Sequence, residues 1–74
     1  MTRQEFLEKF EEMLELPPGT LKGPEELETL DQWTSMAMIE FIALADTNNG
    51  AKLSPRQLAS CRTVSDLLDL AKVS

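Results

Sequence analysis

The chain contains no histidine and no tyrosine, and one cysteine. Without an imidazole it lacks the commonest general base near neutral pH and the commonest metal ligand. Cys61 has no second thiol for an internal disulfide and no imidazole to activate it as a nucleophile. Zinc-site spacings are absent too. Cys61 therefore reads as a small, buried, apolar residue at a helix end, and a reducing, cytoplasmic setting is expected. No run approaches the roughly 20 apolar residues of a membrane span. The opening Met1-Thr2-Arg3-Gln4-Glu5-Phe6-Leu7-Glu8-Lys9 is charged throughout, unlike a signal peptide. Positive charge is scarce: 7 Lys and Arg stand against 13 Asp and Glu, a net charge of -6. That balance argues against nucleic acid and anionic membrane as partners, since both select positive patches. A basic protein surface is the more natural counterpart.

What remains is a short, apolar-rich chain. Its 74 residues, 42% of them hydrophobic, fit one small domain, 1–74, with a single modest core. Residues 2–15 read as a first helix. Thr2 and Glu5 have capping-box spacing. Phe6, Phe10, Met13 and Leu14 form one stripe with Leu7 beside it, and Glu8, Lys9, Glu11, Glu12 and Glu15 fill the opposite, solvated side. Pro17-Pro18-Gly19 stops the helix. A long connection over 17–33 follows, with Leu21, Leu27 and Leu30 as anchors and room for one helical turn between Glu25 and Leu30. A loop this long in so small a domain is either functional or hides an element.

Residues 35–46 read as a second helix with Thr34 as its N-cap. Trp33 at N′ and Met38 at N4 have the spacing of a hydrophobic staple. From Met36 to Ala45 the only charge is Glu40, so the helix is apolar around most of its circumference, more than one buried face requires. Part of that surface is free for a partner. Asp46-Thr47-Asn48-Asn49-Gly50 ends the helix with turn residues. Ser54-Pro55-Arg56-Gln57 opens a short third helix, about 55–60. Thr63-Val64-Ser65-Asp66 opens a fourth, with Val64, Leu67, Leu68 and Leu70 as its apolar face. Four helices and no convincing strand make the expected fold all-α.

Few residues offer chemistry. Asp46 to Leu53 resembles a calcium loop only superficially: Gly50 stands where an oxygen ligand belongs, Ala51 where the turn needs glycine, and Gln57 where a bidentate Glu belongs. The carboxylates of the first helix read as a solvated face, not as an acid–base pair. Glu40 lies about 140° around the helix from Ser35, so it does not act on Ser35. As the lone charge on an apolar helix it can pair with a basic group of a partner or simply face water. Ser35 is different. Thr34 already fills the cap role, which leaves Ser35 at the first helical position with its hydroxyl pointing outward. A helix start has unpaired N–H groups and a partial positive charge, and so favours a phosphate.

The order of these pieces resembles the acyl carrier protein family, over nearly the whole chain: a helix of about a dozen residues, a long loop, an attachment serine opening an apolar helix, a glycine-bearing turn, a short helix, and a last helix introduced by Thr-Val. The family's attachment motif is Asp-Ser-Leu, often with Trp just before it; here it reads Trp33-Thr34-Ser35-Met36, and Ile39-Glu40-Phe41-Ile42-Ala43-Leu44 resembles the family's second helix. The resemblance implies a four-helix bundle of the acyl-carrier type, with a long loop between helices one and two and a short third helix. It implies that Ser35 is esterified to 4′-phosphopantetheine, donated from coenzyme A by a phosphopantetheinyl transferase. Acyl groups would then be carried as thioesters in fatty-acid-like, polyketide or other specialised acyl metabolism. The protein itself would not be an enzyme, and monomer is the expected state. Met36, Ile39 and Ala43 match positions that face partner enzymes, and Glu40 matches an acidic contact to partner Arg or Lys. Partners would be acyl-loading and acyl-transferring enzymes with basic or apolar docking surfaces. Apolar residues between helices one, two and four would shelter part of a bound chain.

Two positions depart from the family pattern. Thr34 replaces the motif's Asp, and Ala37 stands where many members have another acid. Acidity has moved to the first helix and to Glu25, Glu26 and Glu28, which suggests a dedicated carrier whose partners read apolar contacts more than charge. Two other functions remain open. One is an aminoacyl or peptidyl carrier, although Leu30-Asp31-Gln32-Trp33-Thr34-Ser35 lacks the glycines usual in that branch. The other is an unmodified helical protein-interaction module that grips a partner through the second helix.

Overall fold

The computed structural model of the chain describes residues 2–71; Met1 and 72–74 of the expected domain 1–74 lie outside the described residues. The described residues contain four α-helices and no strand: α1 (Arg3–Met13), α2 (Ser35–Asn49), α3 (Pro55–Ala59) and α4 (Val64–Leu70). The fold is all-α, with α1 packed on α2 and α4, and α2 packed on α3.

Each helix starts where a side chain satisfies its free N–H groups. In α1 the Thr2 hydroxyl accepts from Glu5 N–H while the Glu5 carboxylate accepts from Thr2 N–H, both at 3.1 Å. Ser54 with Gln57 and Thr63 with Asp66 repeat this reciprocal cap at α3 and α4. The end of α1 falls short of the expected residue 15. Glu15 takes a left-handed conformation, φ 62°, and the Leu16 and Glu15 N–H groups turn back to the carbonyls of Glu11 and Glu12. Glycine usually fills this position because it has no Cβ to clash.

Helix α2 runs three residues past its expected end. Thr47, Asn48 and Asn49 are turn formers, yet they stay helical. The Asn48 amide donates to the Leu44 carbonyl at 2.9 Å, and Gly50, with φ 67°, supplies the left-handed residue that ends the helix. Asp46 thus lies inside the helix, its carboxylate 2.8 Å from the Lys52 ammonium.

The long connection holds one 3-10 turn, Leu27–Thr29, and is tied down at two places. The first tie is Glu11. Expected on the solvated side, it is 1% exposed, and its carboxylate accepts from the N–H groups of Gly19 at 3.2 Å and Leu21 at 2.7 Å. Glu11 is four residues after Leu7 and three before Leu14, both buried, so it belongs to their stripe. The second tie runs beside the start of α4. Ser65, Val64 and Leu27 N–H groups donate to the Gly23, Glu25 and Arg62 carbonyls at 2.8, 3.0 and 2.8 Å, around an isolated antiparallel bridge between Glu26 and Thr63. Gly23 has φ 124°, and a Cβ there would lie 2.8 Å from the Ser65 hydroxyl; no other residue fits without a shift. Leu21 and Leu27 are buried in the core, and Leu30 is half-buried against it.

The core centres on aromatic rings. All four of the chain's aromatic residues meet in one cluster. Phe41 of α2 makes edge-to-face contacts with Phe6, Phe10 and Trp33 at centroid distances of 5.8, 5.3 and 6.0 Å, and Phe10 meets Trp33 at 5.7 Å. Leu58, Val64, Leu67 and Leu68 close the core from α3 and α4.

Candidate functional site

The start of α2 is built from the loop inward. Trp33 N–H donates to the Leu30 carbonyl and Thr34 N–H to the Gln32 carbonyl, each at 3.0 Å, which sets the angle at which the chain enters the helix. The Trp33 ring, half-buried, lies against Phe10 and Phe41. The ring thus ties the start of the helix to α1 and to Phe41 of α2 itself. Thr34 has extended backbone, φ -105° and ψ 175°, and its hydroxyl accepts from Ala37 N–H at 3.2 Å. This is the expected cap.

Ser35 follows as the first helical residue and is exposed. Among the described residues its hydroxyl has no hydrogen-bond partner, and the N–H groups of Ser35 and Met36 are likewise unpaired. No acidic side chain occupies the first turn of α2, whereas Glu5 and Asp66 occupy those of α1 and α4. The positive end of the α2 dipole therefore carries no counter-charge of its own. That turn presents two free backbone donors and no carboxylate.

The other residues singled out in the sequence lie on the open side of the same helix. Met36 is 65% exposed and Ile39 59%, and these are the large apolar side chains most open to water among the described residues. Glu40 and Ala43 are exposed as well. The spacing i, i+3, i+4, i+7 puts all four on adjacent positions of one surface. Ala37, Phe41 and Ala45 face the core, with Met38, Ile42 and Leu44 half-buried around them.

The resemblance implies that apolar residues between helices one, two and four shelter part of a bound chain. The space between helices one, two and four is filled: Phe6, Phe10, Phe41, Leu67 and Leu68 are each at most 1% exposed and in one cluster. Cys61 lies elsewhere, half-buried at the end of α3. Burial first, and then the nearby charges of Asp66 and Asp69, push its thiol pKa up, so it stays protonated and unreactive at neutral pH. A crease of about 270 Å³ beside it is lined by Glu26, Leu27, Glu28, Ala59 and Arg62.

The sequence reading missed Glu11 and Glu25 as organisers of the loop that delivers Ser35. Glu25 accepts from the N–H groups of Lys22 and Gly23, both at 2.8 Å. Partial burial opposes its ionisation, but the backbone donors outweigh it and lower its pKa. For Glu11 the available signal was its place on the buried stripe. For Glu25 it was Gly23-Pro24 just before it, a bend that brings the N–H groups of Lys22 and Gly23 round to the Glu25 carboxylate. No protein-family model, curated protein or solved structure matches the chain.

Proposed function

We propose that this chain is a non-catalytic carrier of the acyl-carrier type, with 4′-phosphopantetheine on Ser35. One observation carries the reading: the hydroxyl of Ser35 is exposed and unengaged because Thr34 caps the helix in its place. The unpaired amides of Ser35 and Met36 and the absence of an acid in that turn fit a phosphodiester at the same spot. The order of helices, with a long tied loop before α2 and a five-residue α3, fits a bundle of that type. When bound, the group supplies a terminal thiol for thioesters. The protein holds it in place and raises its effective concentration at a docked active site.

In this reading Met36, Ile39 and Ala43 form the apolar contact to partner enzymes, and Glu40 meets a basic group at its edge. The transferase and the acyl-handling enzymes of a reducing, cytoplasmic compartment are the partners, and the carrier is a monomer. The exposed side chains of Met36 and Ile39 also favour a second reading, an unmodified interaction module.

Intact mass separates the two. After incubation with coenzyme A and a broad-specificity phosphopantetheinyl transferase, the chain gains one phosphopantetheine and a Ser35→Ala variant gains none. A folded sample that gains nothing with several transferases, and with Thr34→Asp restored as well, sinks the carrier reading in favour of the module.

A further inference from the structure

On the outer surface, a crease between α1 and α2 starts at the residues that flank Ser35. Its first part, about 360 Å³, is lined by Glu15, Gln32, Thr34 and Glu40 together with apolar side chains that include Met13 and Met36. A second part of about 340 Å³ is lined by Met13, Glu40, Ala43, Leu44, Thr47 and Asn48. Met13 and Glu40 belong to both, so the two are neighbours along one path. At about 1.5 Å per residue the path follows α2 for roughly 20 Å.

The chemistry changes along that path. The first part offers polar groups: the Gln32 amide, the Thr34 hydroxyl and the Glu15 and Glu40 carboxylates. The second offers mainly carbon, from Met13, Ala43 and Leu44. A tethered acyl group has the same order, polar linker first and apolar chain last. Among the described residues, the interior between α1 and α2 is occupied by aromatic side chains. Phe6, Phe10 and Phe41 are 0% exposed and hold one another edge-on, so a chain entering there has to part rings that already fill the space.

We infer that a linear acyl group tethered at position 35 lies in this outer crease, with its apolar end against Met13 and Leu44, and leaves the aromatic cluster closed. The inference rests on Ser35 being the attachment point. It has a corollary for the docking face. Met36, Glu40 and Ala43 border the crease, so an enzyme that covers them also covers the cargo, and reads both in one contact.

The test bypasses the transferase, so it does not depend on whether Ser35 is modified in the cell. A Ser35→Cys variant in a Cys61→Ala background is alkylated with an iodoacetamide carrying a pantetheine-length amide arm that ends in an octanoyl group. The same arm ending in acetyl is the control. Isotope-filtered NMR should give cross-peaks from the octanoyl chain to the methyl groups of Met13 and Leu44, absent with acetyl, and none to the Phe6, Phe10 or Phe41 rings. Cross-peaks to those rings place the chain inside and overturn the inference. An octanoyl chain with no cross-peak to the protein lies in solvent and overturns it too. Failure of the transferase experiment alone bears on the carrier reading, not on the crease.

Discussion

Glu11 is a buried carboxylate, and no ion pair among the described residues includes it. What offsets its desolvation is the pair of loop N–H groups it accepts from, since charge-assisted bonds to backbone donors are among the stronger ones. It acts as a covalently fixed substitute for a loop's missing backbone partner. Glu11→Ala leaves the buried Leu21 N–H without an acceptor, at a cost of about 2–3 kcal/mol. Glu12→Ala, one residue on and exposed, should change stability by no more than about 0.5 kcal/mol. Urea denaturation of the two variants checks this, and equal midpoints would show that Glu11 does not anchor the loop. Glu15 provides the opposite case. Its left-handed conformation strains an L-residue, so Glu15→Gly should raise stability, by about 0.5–1 kcal/mol on the same measurement.

At the level of elements, two of the four helix starts, those of α1 and α4, carry an ionised side chain. Glu5 is held below its ordinary value of 4.5 by the Thr2 backbone N–H and then its hydroxyl. Asp66 is held below 3.8 by the backbone N–H groups of Arg62 and then Thr63. Glu25 is lowered as well, by donors that overcome its burial. A carboxylate with a depressed folded-state pKa stabilises the fold above its unfolded value, and that contribution is lost as pH falls through the folded one. Stability should therefore be level above about pH 5 and decline towards about pH 3. Asp66→Asn removes one such group, and its urea midpoint should fall less over that interval; an unchanged slope would show that Asp66 takes no part. These starts were readable because a cap needs only two residues three apart: Thr2 with Glu5, Ser54 with Gln57, Thr63 with Asp66, and Thr34 before Ser35. The site's exposed stripe was readable for the same reason, since helical spacing fixes which residues are neighbours. What could not be read was long-range. The pairing of Gly23 to Leu27 with Arg62 to Ser65 joins distant parts of the chain, and nothing local announces it. Asn48 and Asn49 looked like a turn because their helical state depends on Gly50 and on a bond back to Leu44. The sheltering interior was expected from the resemblance; whether apolar residues surround a space or fill it is set by how the rings meet.

Over the whole molecule, the aromatic cluster is what joins α1, the end of the loop and α2. Cutting Phe41 to Ala removes three of its four edge contacts and opens a cavity, at a cost of about 3–5 kcal/mol. A chain of this size rarely has more than about 3–5 kcal/mol in its core. Phe41→Ala should thus be largely unfolded at ambient temperature, as seen by circular dichroism; a cooperative melt close to that of the parent would mean that the cluster does not hold the fold. The ion pair between Arg3 and Asp69, 3.1 Å and largely exposed, adds little to this. The cluster also gives the molecule an optical identity. With no tyrosine and a single tryptophan, its near-ultraviolet signal comes almost wholly from Trp33. That indole touches Phe10 and Phe41 on one side and precedes the cap of α2 on the other, two residues from Ser35. Loosening of the core against α1 and against α2 is therefore reported by the same chromophore, and no introduced label is needed to watch either.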